Sequence, residues 1–254
     1  HSNQVVKVSD QVLGTYAFYK VFIDPNSFQI EYSLWVKVFI KNHYHRINNS
    51  LIDTNNTFGY AVVKDFIKPE LVKILSGVSE EDQYSVMKIF WLYEQRQCLL
   101  FIKKWIDSLP QEDLAGAYEV KYEQNNHTSA SKYFELLLNF WNQPNELFET
   151  SIELLLNLNL KQPSRYPETL KFVNDYFVYK VSDVYDNYKR QDLIIKTLFK
   201  FEAILEYNKI IRGIILSLTN SWLKWHHTDF TATKGHAFNI INFTLNRTDQ
   251  LLKF

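Results

Sequence analysis

Residues 79–110 read SEEDQYSVMKIFWLYEQRQCLLFIKKWIDSLP, and this stretch decides the fold class. Ser79 followed by Asp82 has the form of a capping box with the shorter acid, and Glu80 and Glu81 add negative charge where a helix dipole favours it. Met87, Phe90, Trp91, Cys98, Phe101, Ile102 and Trp105 keep a three-to-four rhythm interrupted only by Glu94, which is the period of an amphipathic helix. Lys103 and Lys104 suit the C-terminal end, and Pro110 closes the segment. One helix over Ser79–Ser108, roughly 40 Å long at ~1.5 Å per residue, is the expectation.

Working outward, the same period recurs. Pro167 is a good first-turn residue, and Leu170, Val173, Phe177, Val181, Val184 and Tyr188 follow as one stripe. Leu193–Trp225 carries two stripes separated at Asn208, which predicts one helix with a weak centre or two helices. Asp10–Ile23 reads as a short helix ending in the turn Asp24-Pro25-Asn26-Ser27. Phe28–Arg46 is apolar on nearly all sides and reads as a buried central helix. Thr57–Lys68 and Pro69–Ser76 read as two pieces divided at the proline. Tyr133–Trp141 and Leu147–Leu160 read as a hairpin turning at Asn142-Gln143-Pro144-Asn145, and His236–Phe254 as the last helix. Ile47–Asn56 and Glu123–Ser131 have loop composition.

Strict alternation bounded by Asn-Gly or Asp-Gly turns is absent, so strands are not expected. The first four prolines, Pro25, Pro69, Pro110 and Pro144, stand 44, 41 and 34 residues apart, about the span of a helical hairpin in a repeat protein. No tetratricopeptide or ankyrin signature accompanies that spacing. The expected fold is all-α: an irregular helical stack or α-solenoid-like bundle of about eight to eleven helices. A single domain over 1–254 is expected, with a candidate seam at 123–131.

Composition narrows the function classes. The 28 basic and 28 acidic residues cancel, with 13 and 15 up to His127 and 15 and 13 after it. Neither half carries the charge pole of a nucleic-acid or anionic-membrane binder. Cys98 is the only cysteine, so no intrachain disulfide or four-cysteine zinc site exists, and an intracellular setting, cytoplasmic or nuclear, is expected. No apolar run approaches the ~20 residues of a membrane span.

Catalytic patterns are missing from the sequence. Six glycines supply neither GxGxxG nor GxxxxGK[ST], and no GxSxG elbow or HExxH occurs. His226 and His227 are adjacent and diverge by about 100° on a helix, and His43 and His45 also point apart. Asp183 and Asp186 share a helical face, but Lys180, Lys189 and Arg190 stand beside them and make a solvated ion-paired surface. No catalytic residue, cofactor or metal site is assigned, and no enzymatic activity is expected.

What remains is binding. The expected function is a helical scaffold or adaptor that presents a groove or helix face to a protein partner, within a larger complex or alone. The candidate contact residues are Tyr44 and the group Trp225, His226 and His227, where aromatics adjoin histidines. The basic residues Lys189, Arg190, Lys196 and Lys200 form a second candidate, within a stretch 161–212 that holds 10 basic and 7 acidic residues. Those four, or Lys37, Lys41 and Arg46, would serve a membrane-surface trafficking adaptor that binds anionic phosphoinositides. An all-α enzyme or carrier of an apolar ligand is the further alternative, and nucleic acid is not an expected partner.

Overall fold

A computed structural model describes residues 10–27, 30–114, 132–141, 145–180 and 182–228, without the side chains of 184 and 223–228. Among these residues every regular element is helical. The chain is all-α and bundle-like, as its periodicity predicts. It divides into two compact units, residues 1–98 and 99–254. The candidate seam at 123–131 and the predicted helix 236–254 lie outside the described residues.

In the first unit, α1 (Gln11–Phe18) starts at Asp10, whose carboxylate accepts the Val12 N–H. It widens into a π-helical turn, Tyr19–Ile23. Then come α2 (Tyr32–Phe58), α3 (Tyr60–Leu75) and α4 (Glu80–Phe90), and α5 (Gln95–Ser108) begins here. A straight helix of α2's length would separate its ends by about 40 Å. Yet Tyr32 lies 6.0 Å from Phe18, and Phe58 stacks 4.0 Å from Tyr19. α2 is therefore bent, and the bend is at His43, where φ is −135° and ψ 23°. The core holds Val36, Ile40, Ile47 and Leu51 of α2 against Val63, Ile67 and Leu71 of α3 and Val86 and Phe90 of α4.

Three expectations about where helices run and break are corrected in this unit. The asparagine-rich stretch 47–56 is helix, because Ile47, Leu51 and Thr54 fall on the buried face and burial outweighs weak propensity. Pro69 lies inside α3 instead of dividing it. An interior proline costs about 3 kcal/mol, whereas Val63, Ile67, Leu71 and Ile74 are all buried, each worth about 2 kcal/mol. The single helix over 79–108 is two helices. Ser79 caps α4 as read, accepting the Asp82 N–H at 3.2 Å. The chain then turns at Trp91–Tyr93, which sends Tyr93 into the core, stacked 5.7 Å from Tyr60.

The second unit contains the rest of α5, then α6 (Lys132–Leu138), α7 (Glu146–Lys161), α8 (Tyr166–Tyr176), α9 (Ser182–Tyr185), α10 (Lys189–Glu202) and α11 (Asn208–Thr228). Here α7 is the buried central helix: Phe148, Ile152, Leu154, Leu155, Leu156 and Leu158 are all buried. Asn145 caps it by accepting the Leu147 and Phe148 N–H groups. Two of its polar core groups find partners, with Ser151 Oγ accepting from Trp141 Nε1 at 3.0 Å and Asn159 Nδ2 donating to Thr169, while Asn159 Oδ1 has no partner among the described residues. Of the two readings of Leu193–Trp225, two helices is correct, with the break over Ala203–Tyr207.

The predicted stripe from Leu170 to Tyr188 is also interrupted. α8 ends at Tyr176, and the cause is Arg190, 2% exposed. Its guanidinium donates to the Tyr176 and Val178 carbonyls and forms a two-point ion pair with Asp183, at 3.1 and 3.0 Å. The last carbonyls of a helix lack internal donors, and a buried arginine supplies them. Asp183 also accepts from Gln191 Nε2 and the Lys180 N–H. To bring these groups together the backbone turns left-handed at Asn187 (φ 49°) and Tyr188 (φ 57°), a conformation that costs non-glycine residues about 1 kcal/mol or more each.

Candidate interaction surface

α2 has apolar residues on opposite faces. Tyr32, Val36 and Ile40, spaced by four, are buried. Leu34 and Val38, also spaced by four, are 56% and 63% exposed, and Phe39 beside them is 39% exposed. The expectation of a wholly buried helix at Phe28–Arg46 is corrected accordingly. Phe39 packs 5.7 Å from Trp35, and Trp35 lies 5.0 Å from Phe22, so an aromatic row connects this surface to the core.

The exposed row runs into a cationic cluster. Lys37, Lys41, His43, His45 and Arg46 stand within ten residues, and all but the half-buried Lys37 are exposed. Among the described residues none of these five has a carboxylate partner. His43 lies 5.9 Å from the Phe39 ring, which joins the apolar row to the cations. Tyr44 is half-buried against the core, 3.7 Å from the His45 ring and with Lys88 Nζ 5.9 Å above its own ring. It braces the bend and does not project as a free anchor.

The other basic candidates behave differently. Lys196 pairs with Asp192 at 2.6 Å. Lys200 pairs with Glu149 and, at 3.3 Å, with Glu153, both on α7. Hydrogen bonds to Glu149 and then Glu153 raise the Lys200 pKa above its ordinary 10.5. Arg190 is buried with Asp183, and only Lys189 of the four remains exposed without an ion pair among the described residues. The row does not form a basic patch: around Lys196 and Lys200, three carboxylates face two ammonium groups. Trp225, His226 and His227 occupy the end of α11, and their side chains lie outside the described residues.

Titratable groups elsewhere serve the fold. Burial pushes the Cys98 thiol up to about 12 and the Tyr179 hydroxyl also to about 12. Burial, then the neighbouring Arg190 charge, lowers Lys180. No group of three or more His, Cys, Asp or Glu residues among those described could hold a metal ion. None of the described helices is long and apolar enough to cross a membrane. No family model matches the chain, and no curated protein or solved structure matches it either.

Sequence reasoning missed Leu34 and Val38 because two four-residue series, one buried and one exposed, interleave on the same helix. Periodicity alone gives neither series the outer side. The available signal was the transition from apolar residues to three cations and two histidines between 37 and 46.

Proposed function

We propose that the protein is an interaction module that docks an acidic, amphipathic segment of a protein partner along the first half of α2. The observation that carries this reading is the exposed Leu34–Val38–Phe39 row running directly into Lys41 and Arg46, which have no carboxylate partner among the described residues. Burying three half-exposed apolar side chains is worth about 1 kcal/mol each. That total, about 3 kcal/mol, does not exceed the cost of association. The cations therefore have to add steering and specificity, which favours a partner with carboxylates placed beyond its apolar face.

The test compares three variants of the full chain in affinity capture. A partner retained by wild type and by Lys196→Glu/Lys200→Glu, but lost from Leu34→Ser/Val38→Ser and weakened in Lys41→Glu/Arg46→Glu, is the expected result. Retention by all three variants would reject the α2 surface. Apolar residues beside cations also suit an anionic bilayer. Flotation with phosphoinositide vesicles that depended on Lys41 and Arg46, with no protein captured, would replace the protein partner by a membrane.

A further inference from the structure

The start of α2 and the middle of α3, both within the first unit, enclose a cleft of about 420 Å³. Pro69 lines it, and an interior proline, lacking an N–H and crowding the preceding turn, keeps the helix from closing normally. Three rings form apolar walls: Tyr32 is 5.0 Å from Phe66 at 61° and 5.3 Å from Phe22 at 71°. The polar lining is Glu31, Glu70 and Lys73, an excess of one negative charge.

Glu70 is the central group. It is 9% exposed, and its Oε2 accepts the Ser33 N–H at 3.1 Å in the first turn of α2. Its Oε1 accepts from Lys73 Nζ at 2.6 Å. A carboxylate offers about four acceptor sites, so roughly half of its capacity remains. Tyr32, 2% exposed, also lines the cleft, and its hydroxyl has no hydrogen-bond partner among the described residues. A buried polar atom without a partner is costly. Burial first, with the charges of Tyr93 and Glu70 adding to it, raises the Tyr32 pKa well above 10.0, so this hydroxyl stays neutral. The lining thus combines spare acceptors, ring faces and excess negative charge, a set that complements a cation carrying several N–H donors.

We propose that this cleft binds a primary ammonium group borne on a short apolar body, with the ammonium replacing Lys73 Nζ at Glu70 Oε1 and the apolar part resting on the Phe22, Tyr32 and Phe66 rings. Lys73 is the displaceable occupant, because its side chain is 56% exposed and water screens its half of the pair and competes for its ammonium. The same chemistry is carried by a free amine and by a lysine side chain of another protein. This site is separate from the docking row on α2 and does not depend on it.

The test is a titration of the ¹⁵N-labelled full chain at pH 7 with phenethylammonium, followed at the Ser33 and Glu70 amides. 2-Phenylethanol and 3-phenylpropionate serve as the neutral and anionic counterparts. Saturable shifts with the ammonium and none with the other two are expected. Lys73→Ala removes the internal competitor and should tighten binding about two- to five-fold, the equivalent of an exposed ion pair. Glu70→Gln should abolish binding; because it could also loosen the start of α2, the Lys73 variant is the decisive one. Nα-acetyl-lysine methylamide separates the two sources: binding by it as well as by phenethylammonium points to a protein lysine, and binding by phenethylammonium alone to a free amine. No saturable shift with the ammonium, equal binding of the alcohol, or weaker binding by Lys73→Ala would overturn the proposal.

Discussion

The cations in the middle of α2 and those along α10 are similar in number and spacing, yet the structure treats them in opposite ways. On α10, Asp192 holds Lys196, the α7 carboxylates hold Lys200, and Arg190 is drawn into the interior by Asp183. On α2, Lys41, His45 and Arg46 meet no carboxylate among the described residues. A basic cluster is thus defined by what its neighbouring elements bring to it. α7 brings Glu149 and Glu153 to α10, and no described element does the same for α2.

The largest test of this contrast is Arg190→Ala. Removing one member of a buried pair strands the other, so a loss of about 3–5 kcal/mol is expected, read as a lower denaturant midpoint. A loss below about 1 kcal/mol would mean that Arg190 is as dispensable as a surface lysine. Arg190→Met/Asp183→Leu should recover much of that loss, since paired removal leaves no buried charge unmatched.

Lys200→Glu comes next. It places three carboxylates together and should cost about 1 kcal/mol, the scale of an exposed pair. Lys41→Glu/Arg46→Glu should change stability by no more than about 0.5 kcal/mol, as befits surface residues with no carboxylate partner among those described, while changing binding. Equal destabilisation by the two charge reversals would erase the distinction between the helices.

The smallest effect concerns pH. The folded-state pKa of Lys200 lies above its ordinary 10.5, raised by Glu149 and Glu153. The stability from this pair is therefore fully present below 10.5 and is lost as pH rises through the higher folded value. The stability difference between wild type and Lys200→Met should be constant from pH 6 to 9 and shrink only above 10.5. A difference that faded near neutrality would show that other groups set it.

Much of the framework was legible where one local signal sufficed. Asp10, Ser79 and Asn145 each cap a helix through their own side chains, and Asp10 and Ser79 both stand where the sequence places a helix start. What escaped was set by partners remote in the chain or by competition between energies. Pro69 stays inside α3 because the residues around it are buried on both sides. The 47–56 stretch is helical because three residues among many asparagines face the core. The α8 break depends on Arg190 reaching carbonyls 12 and 14 residues earlier, a relation with no periodic signature. The α2 surface escaped for a different reason: the two interleaved series are equivalent until a fold chooses between them.

Cys98, fully buried with its thiol raised to about 12, closes the first compact unit. A neutral thiol without access to solvent is a poor nucleophile, so the folded chain should resist both oxidation and cross-linking. With only one sulfhydryl in 254 residues, the rate at which a thiol reagent labels the protein is a clock for the openings that expose Cys98. The clock requires no engineered probe and runs in the unmodified molecule.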